Sequence, residues 1–144
     1  MFKHVGDRIN KLSYKIKREI SKLPSIQKID EVSATNGFIL MYIYDSKEDV
    51  FQKDIENHFG MTRSTASRVI SLMEQKNLLT RESVLNDHRL KKLTLTDKSK
   101  PLCVEVKGEL KEFEKRLCNG VDLDYLIKEL DLINLNLNGG KSND

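Results

Sequence analysis

The chain predicts a mainly α protein carrying one small β-hairpin, on three observations. Between Thr62 and Asn77, apolar residues fall at Ala66, Val69, Ile70 and Met73, the i, i+3, i+4, i+7 spacing of one buried helical stripe. Two short β-prone runs, Leu78-Leu79-Thr80-Arg81 and Leu93-Thr94-Leu95-Thr96, then flank Asn86-Asp87-His88-Arg89, where Asn-Asp is turn chemistry. Long apolar stripes at three- and four-residue spacing occupy both ends of the chain.

Taken in order, residues 1–23 read as a helix with Phe2, Val5, Ile9, Leu12, Ile16, Ile20 and Leu23 along a near-heptad seam. Seven Lys/Arg against two Asp/Glu give it a net +5, a solvated face or an added attraction to nucleic acid. Residues 24–32, around Pro24, read as a connector. Ser33 or Thr35 starts a helix through Phe38-Ile39-Leu40-Met41-Tyr42-Ile43-Tyr44, apolar on nearly every side and so expected between other elements. Residues 45–49 form a polar loop. Asp49 and Gln52 have capping-box spacing. Phe51, Ile55 and Phe59 then make an inner helical face, and Gly60 the turn beyond it.

The next helix is the informative one. The Thr62 hydroxyl suits an N-cap, and Asn77 suits the left-handed residue that closes a helix. Opposite the buried stripe fall Ser64, Arg68, Ser71 and Gln75, all able to hydrogen-bond. Arg63 sits at the N-terminal end, where the helix dipole favours anions. An arginine there makes sense if a phosphate supplies the anion. An ordinary amphipathic surface helix would look similar in isolation; the hairpin behind it changes the reading. Its tip is expected to carry Arg89, with Lys91 and Lys92 on the returning strand. Residues 61–92 hold seven Lys/Arg against three Asp/Glu, a net +4 that exceeds the whole-chain +3. A helix offering polar groups beside a cationic hairpin is the chemistry of a winged helix-turn-helix on DNA.

After the hairpin, Leu102, Val106, Leu110, Phe113 and Leu117 form one stripe on a long helix, broken at Asn119-Gly120. Asp122 caps a last helix with Leu123, Leu126, Ile127, Leu130, Ile133 and Leu137 on one side. Residues 138–144 read as a fraying polar tail.

Other chemistries find little support. His4, His58 and His88 show no zinc-ligand spacing, and no Gly-rich phosphate loop or nucleophile elbow is present. The expectation is no metal, no cofactor and no catalytic residue. No apolar run reaches the roughly 20 residues of a membrane span, and the N-terminus does not read as a signal peptide, so a cytoplasmic protein is expected. Cys103 and Cys118 offer no disulfide framework and read as small buried hydrophobes.

In order and spacing, Arg63-Ser64-Thr65-Ala66-Ser67-Arg68, Leu78-Leu79, Arg81, Asp87-His88-Arg89 and Leu93-Thr94-Leu95-Thr96 resemble the DNA-binding core of the multiple-antibiotic-resistance-regulator (MarR) family. Asn77 departs from the usual Gly. Ser99 likewise departs from a Gly, with Pro101 after it, which shifts or kinks the next helix. The resemblance implies DNA-binding residues Arg63, Ser64, Thr65, Arg68, Ser71, Asp87, His88, Arg89 and Lys91. In that scheme the helix residues meet the major groove, Arg89 enters the minor groove and Asp87 holds the wing. It implies one domain, with a winged lobe over 33–96 and dimerisation helices over 1–32 and 97–137. It also implies a homodimeric regulator on double-stranded DNA, most often a repressor at a palindromic operator, released by a small-molecule effector. Peroxide-sensing members rely on a cysteine near the chain start, and residues 1–102 contain none. The competing reading is a winged-helix interaction protein that no longer reads an operator; retention of Arg63, Arg68 and Arg89 argues against it.

Overall fold

The computed structural model describes residues 4–28 and 34–139. Element order is α1 (Val5–Ile20), α2 (Pro24–Gln27), α3 (Ala34–Asp45), α4 (Gln52–Phe59), α5 (Arg63–Gln75), β1 (Leu79–Val84), β2 (Asp87–Leu95), α6 (Ser99–Leu117) and α7 (Leu123–Leu137). The mainly helical fold with one antiparallel hairpin is as expected. The chain divides within α6 into two compact units, 1–110 and 111–144.

In the first unit the core is built where the stripes predict. Ile20 of α1, Ile39 and Leu40 of α3, Ile55 of α4, Ala66, Ile70 and Met73 of α5, Leu78 and Leu79, and Val106 of α6 are all buried. α1 packs on α3, α4 on α5, and α5 on β1. Gly37 marks a close approach within this core: a β-carbon there would lie 2.7 Å from the Ile26 side chain. The connector hides an unforeseen turn, α2, with Pro24 in its first helical position. Its buried Ser25 donates through N–H and hydroxyl to the Glu109 carboxylate on α6. Phe2, Ser33 and the acidic pair Asp30/Glu31 lie outside the described residues.

The Asp49/Gln52 capping box does not form. α4 starts one residue after Phe51, whose N–H donates to Asp54 Oδ2 at 2.8 Å. Asp49 instead pairs with Lys92 at 3.3 Å. The backbone explains the shift: Phe51 bridges Lys92, and Val50 C=O accepts from Leu93 N–H at 2.8 Å. This stretch thus edges the wing before the helix can begin.

α6 has its own local stop and start. Thr96 Oγ1 accepts from Ser99 N–H at 3.2 Å, while Ser99 Oγ accepts from Thr96 N–H at 3.1 Å. The serine in place of glycine therefore closes a reciprocal cap, and Pro101 falls within the first helical turn, where proline is tolerated. Cys103 is fully buried, and burial followed by the Asp45 carboxylate pushes its thiol up to about 11. That raised value favours the protonated fold: its contribution is complete below pH 9 and fades as pH climbs towards 11. Cys118 lies just past the end of α6 and is half-buried. Cys103→Ser and Cys118→Ser should leave any response to peroxide unchanged: the buried Cys103 thiol stays protonated, and neither cysteine lies where the peroxide sensors of the resembled family keep theirs. Peroxide-driven loss of a function in the wild type, abolished by either change, would contradict this.

In the second unit, Asp122 caps α7 as predicted, accepting from Tyr125 N–H at 3.1 Å, and Gly120 makes the preceding turn at φ 76°. None of the α7 side chains is buried; Leu123, Leu126, Ile127 and Leu130 are 46%, 37%, 53% and 44% exposed. On α1, in the first unit, Val5, Ile9 and Leu12 of the predicted seam are likewise exposed. Among the described residues no helix is long and apolar enough to cross a membrane.

Candidate nucleic-acid interface

α5 begins where the sequence predicts. Thr62 Oγ1 accepts from Thr65 N–H at 3.2 Å, and the same hydroxyl donates to Thr65 Oγ1 at 3.0 Å and lies 3.2 Å from Ser64 Oγ. One cap thus ties together the first polar residues of the helix. Asn77, at φ 58°, ends it: its N–H donates to Glu74 C=O and Leu78 N–H to Met73 C=O, a Schellman closure. Ala66, Ile70 and Met73 are buried and Val69 half-buried, while Ser64, Arg68 and Gln75 face solvent.

Ser71 departs from the outward placement. It is half-buried at the edge of the exposed face, and its hydroxyl accepts from Arg81 Nη2 at 2.9 Å. The same nitrogen donates to Ser67 C=O at 3.3 Å, while Arg81 Nε is buried with no partner among the described residues. Arg81 on β1 thus clamps α5 to the wing; hydrogen bonds from a charged donor are worth about 1.5–3 kcal/mol.

The wing differs from the predicted hairpin. The strands are longer, and the turn falls at Leu85-Asn86, with Asn86 at φ 74°. Arg89 is therefore on β2 rather than at the tip. The ladder pairs Val84 with Asp87 but Ser83 with Lys91, so His88, Arg89 and Leu90 bulge out of register. Such a bulge re-aims side chains. Asp87 holds it through the backbone, Oδ1 accepting from Arg89 N–H at 2.9 Å, not through the guanidinium. Lys91 Nζ donates to Ser83 Oγ at 2.6 Å. The side chain of His88 lies outside the described residues.

Helix and wing meet across a groove of about 370 Å³. Arg63 from α5, Arg81 from β1, Arg89 and Lys91 from β2, and Lys53 from α4 line it, with Glu56 as the acid among them. Gln52 joins the two helices, donating to Arg63 C=O at 3.4 Å. Sequence reasoning brought Arg63, Arg89 and Lys91 to this place and missed Gln52, Lys53 and the clamp of Arg81. The first two carry no spacing signal, since they approach the groove only because α4 packs on α5 and β2.

His58, expected at a core or rim, is exposed and sits against Tyr42 at 4.4 Å between ring centroids and against Phe59 at 4.7 Å. With Phe38, Met41, Asp45 and Ser46 these rings line an open cleft of about 410 Å³.

Residues 32–90 match the sequence profile of the MarR family. The fold agrees. The transcription regulator MarR from Oenococcus oeni superposes with a TM-score of 0.80 at 22% identity, over 93% of this chain and 98% of that one. MepR from S. aureus, solved as a DNA complex, gives 0.75 at 20% identity, over 98% and 100%. A MarR transcriptional regulator from Methanosarcina mazei gives 0.74 at 21% identity, over 92% and 94%. These likenesses show the winged helix-turn-helix fold.

Proposed function

We propose that this chain is a MarR-family regulator, sequence-specific and non-enzymatic, that acts as a cytoplasmic homodimer, a repressor on a palindromic operator. The observation that carries the reading is the cationic groove joining the α5 N-terminus to the wing. From the exposed face of the same helix, Arg68 reads base edges with Ser64, Thr65 and Ser71 beside it. Arg63 meets phosphate at the helix N-terminus. The wing contributes Arg89 and Lys91 to the minor groove and backbone, with His88 alongside and Asp87 holding the bulge. MepR, which shares the fold, is seen with DNA. The terminal segments 1–32 and 97–137 dimerise, and 33–96 is the reading lobe of a single domain. Their bare apolar side chains, Val5, Ile9 and Leu12 on α1 and Leu123 to Leu130 on α7, support this. Light scattering should give twice the 16.6 kDa chain mass at micromolar concentration; a monomer would sink the dimer. A small-molecule effector releases the operator, and the cleft at Tyr42 and His58 falls in the size range of ligand pockets.

Selecting fragments of the source genome on the purified protein, then footprinting them, tests the proposal. A two-fold symmetric site with half-sites one DNA turn apart, roughly 34–36 Å, is the expected result. Retention of fragments with no shared sequence would favour a winged interaction protein instead.

A further inference from the structure

On the exposed face of α5 one residue breaks the chemistry of its neighbours. Arg68 and Gln75 are exposed hydrogen-bonding groups; Leu72, between them, is apolar and 47% exposed. Its position is fixed by the fold. The buried stripe Ala66, Ile70 and Met73 seats α5, and Arg81 holds the flank at Ser67 and Ser71. Leu72 lies one turn beyond Arg68, rotated about 40° and advanced about 6 Å along the axis. Bases along one strand repeat about every 3.4 Å, so Leu72 reaches a base about two steps from the one facing Arg68.

We propose that Leu72 is a specificity-determining residue that packs on the C5-methyl of a thymine in the major groove. This rests on the DNA-reading proposal above. A leucine has no donor or acceptor, so among base edges the major groove offers it one matching group, the thymine methyl; cytosine, guanine and adenine present polar groups there. Covering that methyl removes apolar surface of both partners from water, and a buried CH₂-sized group corresponds to about a fourfold change in affinity. A polar base edge in the same place would lose its water to a side chain that cannot replace the hydrogen bond. The half-site is therefore expected to hold a thymine about two steps from a base read by Arg68.

The test uses a duplex selected by the wild-type protein from a random-sequence pool, resynthesised with single thymines replaced by deoxyuridine. The replacement deletes the methyl and keeps the pairing. Wild type should lose about fourfold at one position in the half-site. Leu72→Ala and Leu72→Gln should bind the parent duplex more weakly and be indifferent to deoxyuridine there, whereas Leu72→Met should keep the sensitivity. Wild-type binding unaffected by deoxyuridine at every position, or Leu72→Ala retaining full sensitivity, overturns the assignment while leaving DNA reading intact. A pool that yields no enriched sequence overturns both.

Discussion

Arg68→Ala is expected to cost about 1–3 kcal/mol of discrimination between the operator and random duplex, the range for one good side-chain contact to a base. The side chain stands on the exposed face of α5, opposite Ala66, Ile70 and Met73, which are all fully buried. The loss should therefore appear in binding and not in folding. Titrations of wild type and variant on operator and random duplex separate the two roles open to an arginine. Equal weakening on both duplexes would make Arg68 a phosphate contact and remove it from base reading.

Ile70→Ala should be the most damaging single change to the fold around the site, at about 2–5 kcal/mol. Ile70 has no exposed surface and sits mid-stripe where α5 packs on α4 and β1. Truncation leaves a void under α5, and the Arg81 bonds to Ser67 and Ser71 then hold a less firmly seated partner. Urea unfolding should show a lower midpoint at an unchanged slope. A loss below about 1 kcal/mol would mean that the stripe collapses around the void and contributes little to placing α5.

What the sequence makes legible here is whatever depends on neighbours along the chain. The Thr62 and Asp122 caps, the Asn77 and Gly60 left-handed residues and the α5 stripe each follow from one residue type in one local pattern. The misses have tertiary causes. The start of α4 moves because Val50 and Phe51 bond to β2, forty residues on, which no window around Asp49 reveals. The wing turn falls at Leu85-Asn86 because β2 absorbs His88, Arg89 and Leu90 as a bulge. Asn86 supplies the positive φ; Leu85, 90% exposed, carries no turn signal at all. Ser71 looks outward on a helical wheel, yet Arg81 reaches it from the adjacent strand. The exposed apolar residues of α1 and α7 were legible as stripes, and the dimer they are proposed to form is a property of two chains.

The central claim, that helix and wing together engage the duplex through their cations, is tested most directly by binding isotherms across a salt series for wild type and Arg89→Ala. Arg89 is exposed on the bulge of β2, with its backbone N–H held by Asp87. A solvated arginine contributes little to stability, so the variant should fold and assemble as wild type does. Each phosphate contact releases counterions, so the logarithm of affinity should fall linearly with the logarithm of salt concentration. Removing Arg89 should weaken binding and lower that slope by about one unit per protomer. Unchanged affinity and slope for Arg89→Ala would take the wing out of the interface and leave α5 alone to bind.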